Sequence, residues 1–284
     1  MNPKLTIGMC TYDDFHGVYF SVMALRMYHS EIMDETEIII IDNNPNSPHG
    51  KELKNFKGWI KNLRYIPYSE TVGPANSKNQ VFKNAKAPYV LCMDGHVMFE
   101  NGSLKKLLDM YKSDPTTENL FQGPLVYDDL KNTSTHFDPV WRDQMWGIWA
   151  TNKKGTKPDQ EPFEIPMQGM GVFSSRKESW LGFNKLFRGF GAEEGYIHEK
   201  YRRAGHKTMC LPFLRWTHRF GRPDGVKYTL TMENKIRNYF IGHLENDMDV
   251  EPIIDHFKEW KSEEALEKIC DEAYKEMEDN GYIK

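Results

Sequence analysis

The sequence predicts an α/β fold, a mostly parallel sheet flanked by helices, and three observations point to it. Short apolar runs alternate with helix-like stretches at the spacing of βαβ units. One run holds four consecutive isoleucines, Ile38 to Ile41, the β-branched pattern of a parallel strand covered on both faces. Three runs end in acids, Asp13, Asp42 and Asp94, where ligands bind beyond the carboxyl ends of such strands. Asp and Asn also simply end strands and start turns, so the three together count for more than any one.

Lys4 to Thr11 is an apolar run that stops at Tyr12-Asp13-Asp14 and reads as a buried strand. A helical pattern follows over about 16 to 31. Glu37 to Asp42 is the next strand, ended by Asn44-Pro45. A helix-like stretch near 50 to 60 leads to a strand around 63 to 67. Gly73-Pro74 then opens a helix to about 86, because the fixed φ of proline suits a first helical turn. Pro88 to Met93 is another apolar strand, running into Asp94-Gly95-His96.

The second half changes character. Tyr127 to Pro166 has little periodicity but is rich in aromatic residues, with Trp141, Trp146 and Trp149 inside nine positions. Phe163 to Ser174 reads as one strand, with Gly169 and Gly171 allowing close backbone approach. Arg188-Gly189-Phe190-Gly191-Ala192 is a turn that opens a helix bearing Glu193, Glu194 and Glu199. A strand near 207 to 212 leads to Arg215-Trp216-Thr217-His218-Arg219-Phe220-Gly221-Arg222-Pro223, and residues from about 228 to 280 are helical and charged. With no repeat or Gly/Ser linker, the expected organisation is a catalytic domain over 1–225 and a helical C-terminal extension over 226–284.

Charge and composition exclude several classes. The 284 residues carry 37 Lys+Arg against 41 Asp+Glu, a formal charge of −4. Strong non-specific nucleic-acid binding is therefore not expected, since it needs excess cations to displace phosphate counterions. Hydrophobic residues at 39% and aromatics at 13% supply a substantial core and exclude a disordered chain. No stretch approaches the ~18 uncharged apolar residues of a membrane span, and no targeting segment is expected. Cys10, Cys92, Cys210 and Cys270 lie far apart without a C-x-x-C pair, which excludes a zinc knuckle or a dense disulfide framework. Reduced thiols and a cytoplasmic setting are the expectation, and the glycosylation-like triplets at Asn101 and Asn132 read as chance.

Chemistry concentrates at Asp94-Gly95-His96. Residues i and i+2 of an extended segment point the same way, so this carboxylate and imidazole can grip one ion. The glycine between them lets a phosphate approach. Asp-Gly is also an ordinary turn, and a third ligand raises the value of the motif. His218 is the best candidate, because Arg215, Arg219 and Arg222 flank it with the cations a metal-bound diphosphate requires. One carboxylate with two imidazoles suits Mn²⁺ better than Mg²⁺.

Tyr89 to Phe99, Pro166 to Phe173, Gly189 to Glu194 and Pro212 to Arg219 together resemble the catalytic domain of the polypeptide N-acetylgalactosaminyltransferases. Those enzymes are members of the wider set of GT-A glycosyltransferases, which includes families 27 and 2. The resemblance covers about residues 4 to 222, in order and with similar spacing. It implies the GT-A fold and a Mn²⁺-dependent transfer of a sugar from a nucleotide-sugar, usually a UDP-sugar, with retention of configuration. Asp94, His96 and His218 are then the metal ligands. Thr11, Asp13, Asp42, Gly73, Asn76, Asn79, Asp94, Gly171, Arg219 and Arg222 fall where the family holds the nucleotide-sugar. Glu193 and Glu194 match the region that meets the sugar and acceptor, and Trp141, Trp146 and Trp149 match an aromatic stretch able to stack on an acceptor.

The departures matter too. Animal members carry a membrane anchor, a stem and a lectin domain, none of which is read in this sequence, so a prokaryotic or viral enzyme is expected. Ala192 and Glu194 replace a glycine and an asparagine of the family turn, which leaves the donor sugar open. The acceptor classes are a glycan, a protein or a modified nucleobase. Two other readings stand beside this one, a non-catalytic glycan-binding or structural relative and a nucleotidyltransferase. The acidic Cys10 to Asp14 segment, in place of a Gly-rich basic loop, argues against the latter.

Overall fold

The computed structural model describes residues 2–221, 225 and 227–283. Strand β1 (Leu5–Thr11) leads into helix α1 (Phe15–Tyr28), whose N-cap is Asp14, with its carboxylate accepting from the Gly17 N–H. Strand β2 (Thr36–Asp42), α2 (Pro48–Phe56) and β3 (Leu63–Pro67) follow. Next come α3 (Pro74–Asn84), β4 (Tyr89–Asp94), β5 (Val97–Phe99) and α4 (Ser103–Ser113). Short strands β6 (Leu120–Gln122), β7 (Leu125–Val126) and β8 (Thr133–Ser134) precede a hairpin of β9 (His136–Arg142) and β10 (Met145–Ala150). Strands β11 (Phe163–Glu164) and β12 (Val172–Arg176), helix α5 (Glu193–Arg203), β13 (Thr208–Cys210) and β14 (Trp216–His218) complete the first 220 residues or so. Helices α6 (Met232–Glu245), α7 (Glu251–Phe257) and α8 (Glu263–Asp279) make up the C-terminal region.

Eight strands form the main sheet in the order β11-β13-β6-β12-β4-β1-β2-β3. The half that holds β4, β1, β2 and β3 is parallel throughout, as βαβ crossovers require, while β12 runs antiparallel to β4. The isoleucine run explains why this sheet has two cores. Ile38 and Ile40 face one side, with Val18, Val22 and Leu25 of α1 and Leu53 of α2. Ile39 and Ile41 face the other, with Val81 and Phe82 of α3, Ile197 of α5 and Phe240 of α6. Alternation along a strand thus feeds both cores from four adjacent residues. The C-terminal helices share that second core, since Ile236, Phe240, Phe257, Leu266, Ala273 and Met277 are buried in it.

Two sequence expectations need correction. Phe163 to Ser174 is not one strand: β11 pairs with β13 and β12 pairs with β4, and the chain crosses between them over 165–171. The aromatic segment is not irregular either but forms the β9–β10 hairpin, whose turn places Asp143 at φ +50°.

A small second sheet, in the order β5-β14-β7-β8, matters most for the site. Strand β14 runs antiparallel to β5, with His218 opposite Val97, so a residue 122 positions away in sequence lands beside His96. The Arg219 N–H extends this ladder by donating to the His96 carbonyl at 3.1 Å.

Candidate functional site

The carboxyl ends of β1 and β4 and the tip of β14 meet at one cleft. Its walls include Thr11, Tyr12, Asn43, Gly73, Lys78 and His96, and it holds a cavity of about 110 Å³ with one side open to solvent.

Asp94 and His96 line the cleft, and with His218 of β14 they bring one ligand atom each to within 4.8 Å of one another. The two histidine Nε2 atoms are 3.1 Å apart, and His218 Nε2 is 3.5 Å from Asp94 Oδ2. Ligands about 2.1 Å from an ion and at right angles to each other sit about 3.0 Å apart, so the spacing suits one small divalent cation. The tautomer fits as well. His96 Nδ1 lies 2.9 Å from Asp14 Oδ2, and donating that N–H leaves the Nε2 lone pair facing the other two candidate ligands.

Asp94 is held as an anion. Burial alone would raise its pKa, but the Lys78 ammonium and the His218 hydrogen bond hold it well below the usual carboxylate range. Lys78 Nζ sits 3.3 Å from Asp94 Oδ1 and donates to the Met170 carbonyl at 2.7 Å. Burial opposes the Lys78 charge, yet Asp94 and its neighbours keep the ammonium protonated. The Gly171 carbonyl accepts the Asp94 N–H at 2.9 Å, and a Cβ on Gly171 would meet the Trp216 ring at 3.0 Å. Gly171 therefore positions Asp94 from behind.

Glu193 and Glu194 are buried in the first turn of α5. Burial, reinforced by the Glu194 charge, pushes the Glu193 carboxyl up to about 8. Glu194 is raised mainly by burial. Glu193 Oε2 accepts the Gly191 N–H at 2.8 Å, while Oε1 is buried without a partner among the described residues.

The other expected residues divide. Thr11 and Gly73 line the cleft, and Thr11 Oγ1 is buried with no partner among the described residues. Asp42 sits behind the cleft, its carboxylate taken by the Asn44 N–H and the Tyr65 hydroxyl, and burial raises its pKa against those bonds. Asp13, at φ +54°, turns its carbonyl to His49 Nδ1 at 2.9 Å. The Asn76 and Asn79 amides are spent on carbonyls of Lys185, Phe187 and Phe183, so they tie α3 to the 183–187 segment and do not face the cleft. The Arg219 guanidinium donates to the Gly221 carbonyl at 3.2 Å, and Arg222 lies outside the described residues.

Trp141 and Trp146 line a separate pocket with Tyr196 and Tyr239, and Trp141 stacks on His256 at 4.1 Å. Trp149 packs instead on Phe137, at 4.3 Å between ring centroids, against Gly169.

Sequence reasoning missed Lys78, Asp14 and Asn43. Lys78 had a signal, since it lies on the same stripe of α3 as Ala75, Val81 and Phe82, where an exposed lysine has no place. Asn43 Oδ1 accepts the Gly73 N–H at 2.9 Å and so fixes the cleft wall.

The sequence model of glycosyl transferase family 2 matches residues 6–180. Two solved structures have a similar fold. One, described as GalNAc-T7 with UDP, GalNAc and Mn²⁺, has a TM-score of 0.66 and 15% identity over 84% of this chain and 47% of that one. The other, S. aureus TarS 1-349 in complex with UDP-GlcNAc, has a TM-score of 0.57 and 13% identity over 88% of this chain and 69% of that one. This chain thus spans about half the length of the GalNAc-T7 chain, and at these identities the likeness shows the fold, which is GT-A.

Proposed function

The chain belongs to glycosyl transferase family 2, and on that premise we propose that it moves a sugar from a UDP-sugar to an acceptor hydroxyl with the help of Mn²⁺. The observation that carries this reading is the convergence of Asp94, His96 and His218, the first two of which line the strand-end cleft. The ligands named for the two similar structures, UDP with GalNAc and Mn²⁺ in one and UDP-GlcNAc in the other, support the choice of donor and cation.

Each residue then has a task. Asp94, His96 and His218 hold the cation, which when bound acts as a Lewis acid on the departing diphosphate. Asp14 fixes the tautomer of His96, and Lys78 keeps Asp94 ionised. Thr11 and Tyr12, which line the cleft, bound its nucleoside end, and Arg219, next to His218 in sequence, supplies a cation to the diphosphate. In the transfer, the bond from the anomeric carbon to the UDP oxygen breaks as the acceptor oxygen bonds to that carbon. The acceptor proton leaves to a carboxylate or to the departing phosphate.

Retention is the outcome that the resemblance to the N-acetylgalactosaminyltransferases implies. Inversion, the other outcome, needs a general base, and Glu193, its carboxyl pushed up to about 8 by burial, is mostly protonated at neutral pH and becomes available only as pH rises towards 8. The anomeric coupling of the product by NMR separates the two. The aromatic pocket of Trp141 and Trp146 favours an acceptor that itself carries sugar, whether glycan, protein or modified nucleobase. The function is tested by screening UDP-, GDP- and ADP-sugars for Mn²⁺-stimulated hydrolysis, with His218→Ala as control. Turnover of a UDP-sugar that the variant loses supports it. If no nucleotide-sugar turns over, or wild type and variant behave alike, the reading fails.

A further inference from the structure

Helix α1 is apolar on both sides. Val18, Val22 and Leu25 are buried against the sheet, yet Phe20 and Met27 on the opposite side are 60% and 65% exposed, and Tyr28 is 56% exposed. A surface helix ordinarily turns charged and polar residues to water.

A chain of ring contacts joins the exposed Phe20 to the next layer through the half-buried Tyr19 and the buried Phe56. Phe20 meets Tyr19 at 5.6 Å between ring centroids, Tyr19 meets Phe56 at 5.4 Å, and Phe56 meets Trp59 at 6.5 Å. Trp59, at the end of that chain of rings, is 77% exposed.

Cations surround the patch. Lys51, Lys54, Lys57 and Lys61 are all exposed on the segment that carries Trp59, and Arg26 is exposed on α1. None of the five has a carboxylate partner among the described residues. Glu52 is the one acid between Asn43 and Arg64, and residues 15–30 contain none. A chain with a formal charge of −4 therefore presents one locally positive face built around aromatic rings.

We propose that this face docks the protein on an anionic lipid surface. Trp59 sits at headgroup level, Phe20 and Met27 enter the acyl boundary, and the lysines reach the anionic headgroups on their flexible stems. Nucleic acid fits less well. A duplex would engage the lysines and leave Phe20 and Met27 in water. A single strand needs ring faces to stack on, whereas Tyr19 and Phe20 meet at 83° and Phe56 and Trp59 at 78°. The inference is independent of the donor and acceptor proposed above.

The test is flotation of the full chain with vesicles of phosphatidylcholine alone and of equal parts phosphatidylcholine and phosphatidylglycerol. The protein is expected to float with the anionic vesicles only and to be released by salt. Each lysine near such a surface is worth about fivefold in partitioning, so replacing all four by glutamine should lower binding by about two orders of magnitude or more. The double variant Phe20→Ser, Trp59→Ser should also lose binding while its far-UV circular dichroism and its Mn²⁺-dependent binding of UDP stay as in wild type. Wild type that ignores the anionic vesicles, or folded variants that float as wild type does, would overturn the proposal. Lysine-dependent binding of DNA without vesicle binding would overturn it as well.

Discussion

Asp14 decides which nitrogen of His96 faces the other two candidate ligands, and a capping residue of α1 thereby becomes part of the site. Its replacement by asparagine preserves shape and removes the charge that steadies the imidazole. Asp14→Asn should weaken Mn²⁺ affinity about 10–100-fold while activity returns at high Mn²⁺. A Mn²⁺ titration of activity reads this directly. Glu193 makes a different prediction. Its folded-state pKa, near 8, lies above its ordinary value of 4.5, so the stability it contributes is full below about 4.5 and is lost as pH rises towards 8. Denaturant melts across that window should show wild type weakening by an amount on the order of a few kcal/mol, and Glu193→Gln should flatten the trend. At this scale the sequence exposed two of the candidate ligands, because Asp94-Gly95-His96 is local. It hid Lys78, whose partner Asp94 belongs to another element.

The wall of the cleft opposite the ligands is made by loops that elements hold from behind. Gly73, at φ +144°, packs so closely on the 188–192 turn that a Cβ there would lie 2.3 Å from the Gly189 carbonyl oxygen. On the far side of that turn, Asn238 of α6 accepts the Arg188 N–H at 3.2 Å and donates to the Arg188 and Gly191 carbonyls. Gly73→Ala should therefore cost about 1–3 kcal/mol of stability and raise the KM for the donor. Thermal melts and steady-state kinetics on one preparation measure both. Strands β1, β2 and β4 were legible because a buried parallel strand writes itself as a continuous apolar run. The β9–β10 hairpin was not. Its two-residue turn, Asp143-Gln144, lacks the glycine that usually marks such turns, and its strands follow no clean alternation because Trp141 packs on α6 and α7 and Trp146 packs on Trp141. The split of 163–174 was hidden for a related reason: β11 and β12 pair with strands far away in the chain.

Across the whole molecule, helices α6 to α8 complete the core on one side of the sheet, although their charged sequence reads as an appendage. Phe240 and Ile236 are fully buried beside Phe187 and Ile197, so ending the chain after residue 225 would expose an apolar face of the catalytic region. That truncation should give an aggregating product without a cooperative melt, and a soluble, cooperatively folding 1–225 fragment would contradict this view. The charge of −4 acquires a shape at this scale as well. Acids gather at the strand ends, and lysines with no carboxylate partner among the described residues gather near Trp59 on α2 and its extension. What joins the scales is the claim that one cation, held by Asp94, His96 and His218, couples this fold to a nucleotide-sugar. Calorimetric titration of UDP into the full chain, with Mn²⁺ and with a chelator, for wild type and Asp94→Asn, tests it most directly. The expected result is binding by wild type only in Mn²⁺ and at least a hundredfold loss in the variant, in line with the 10²–10³ set by removing one group that faces a developing charge. Equal UDP affinity with chelator, or in the variant, would contradict it.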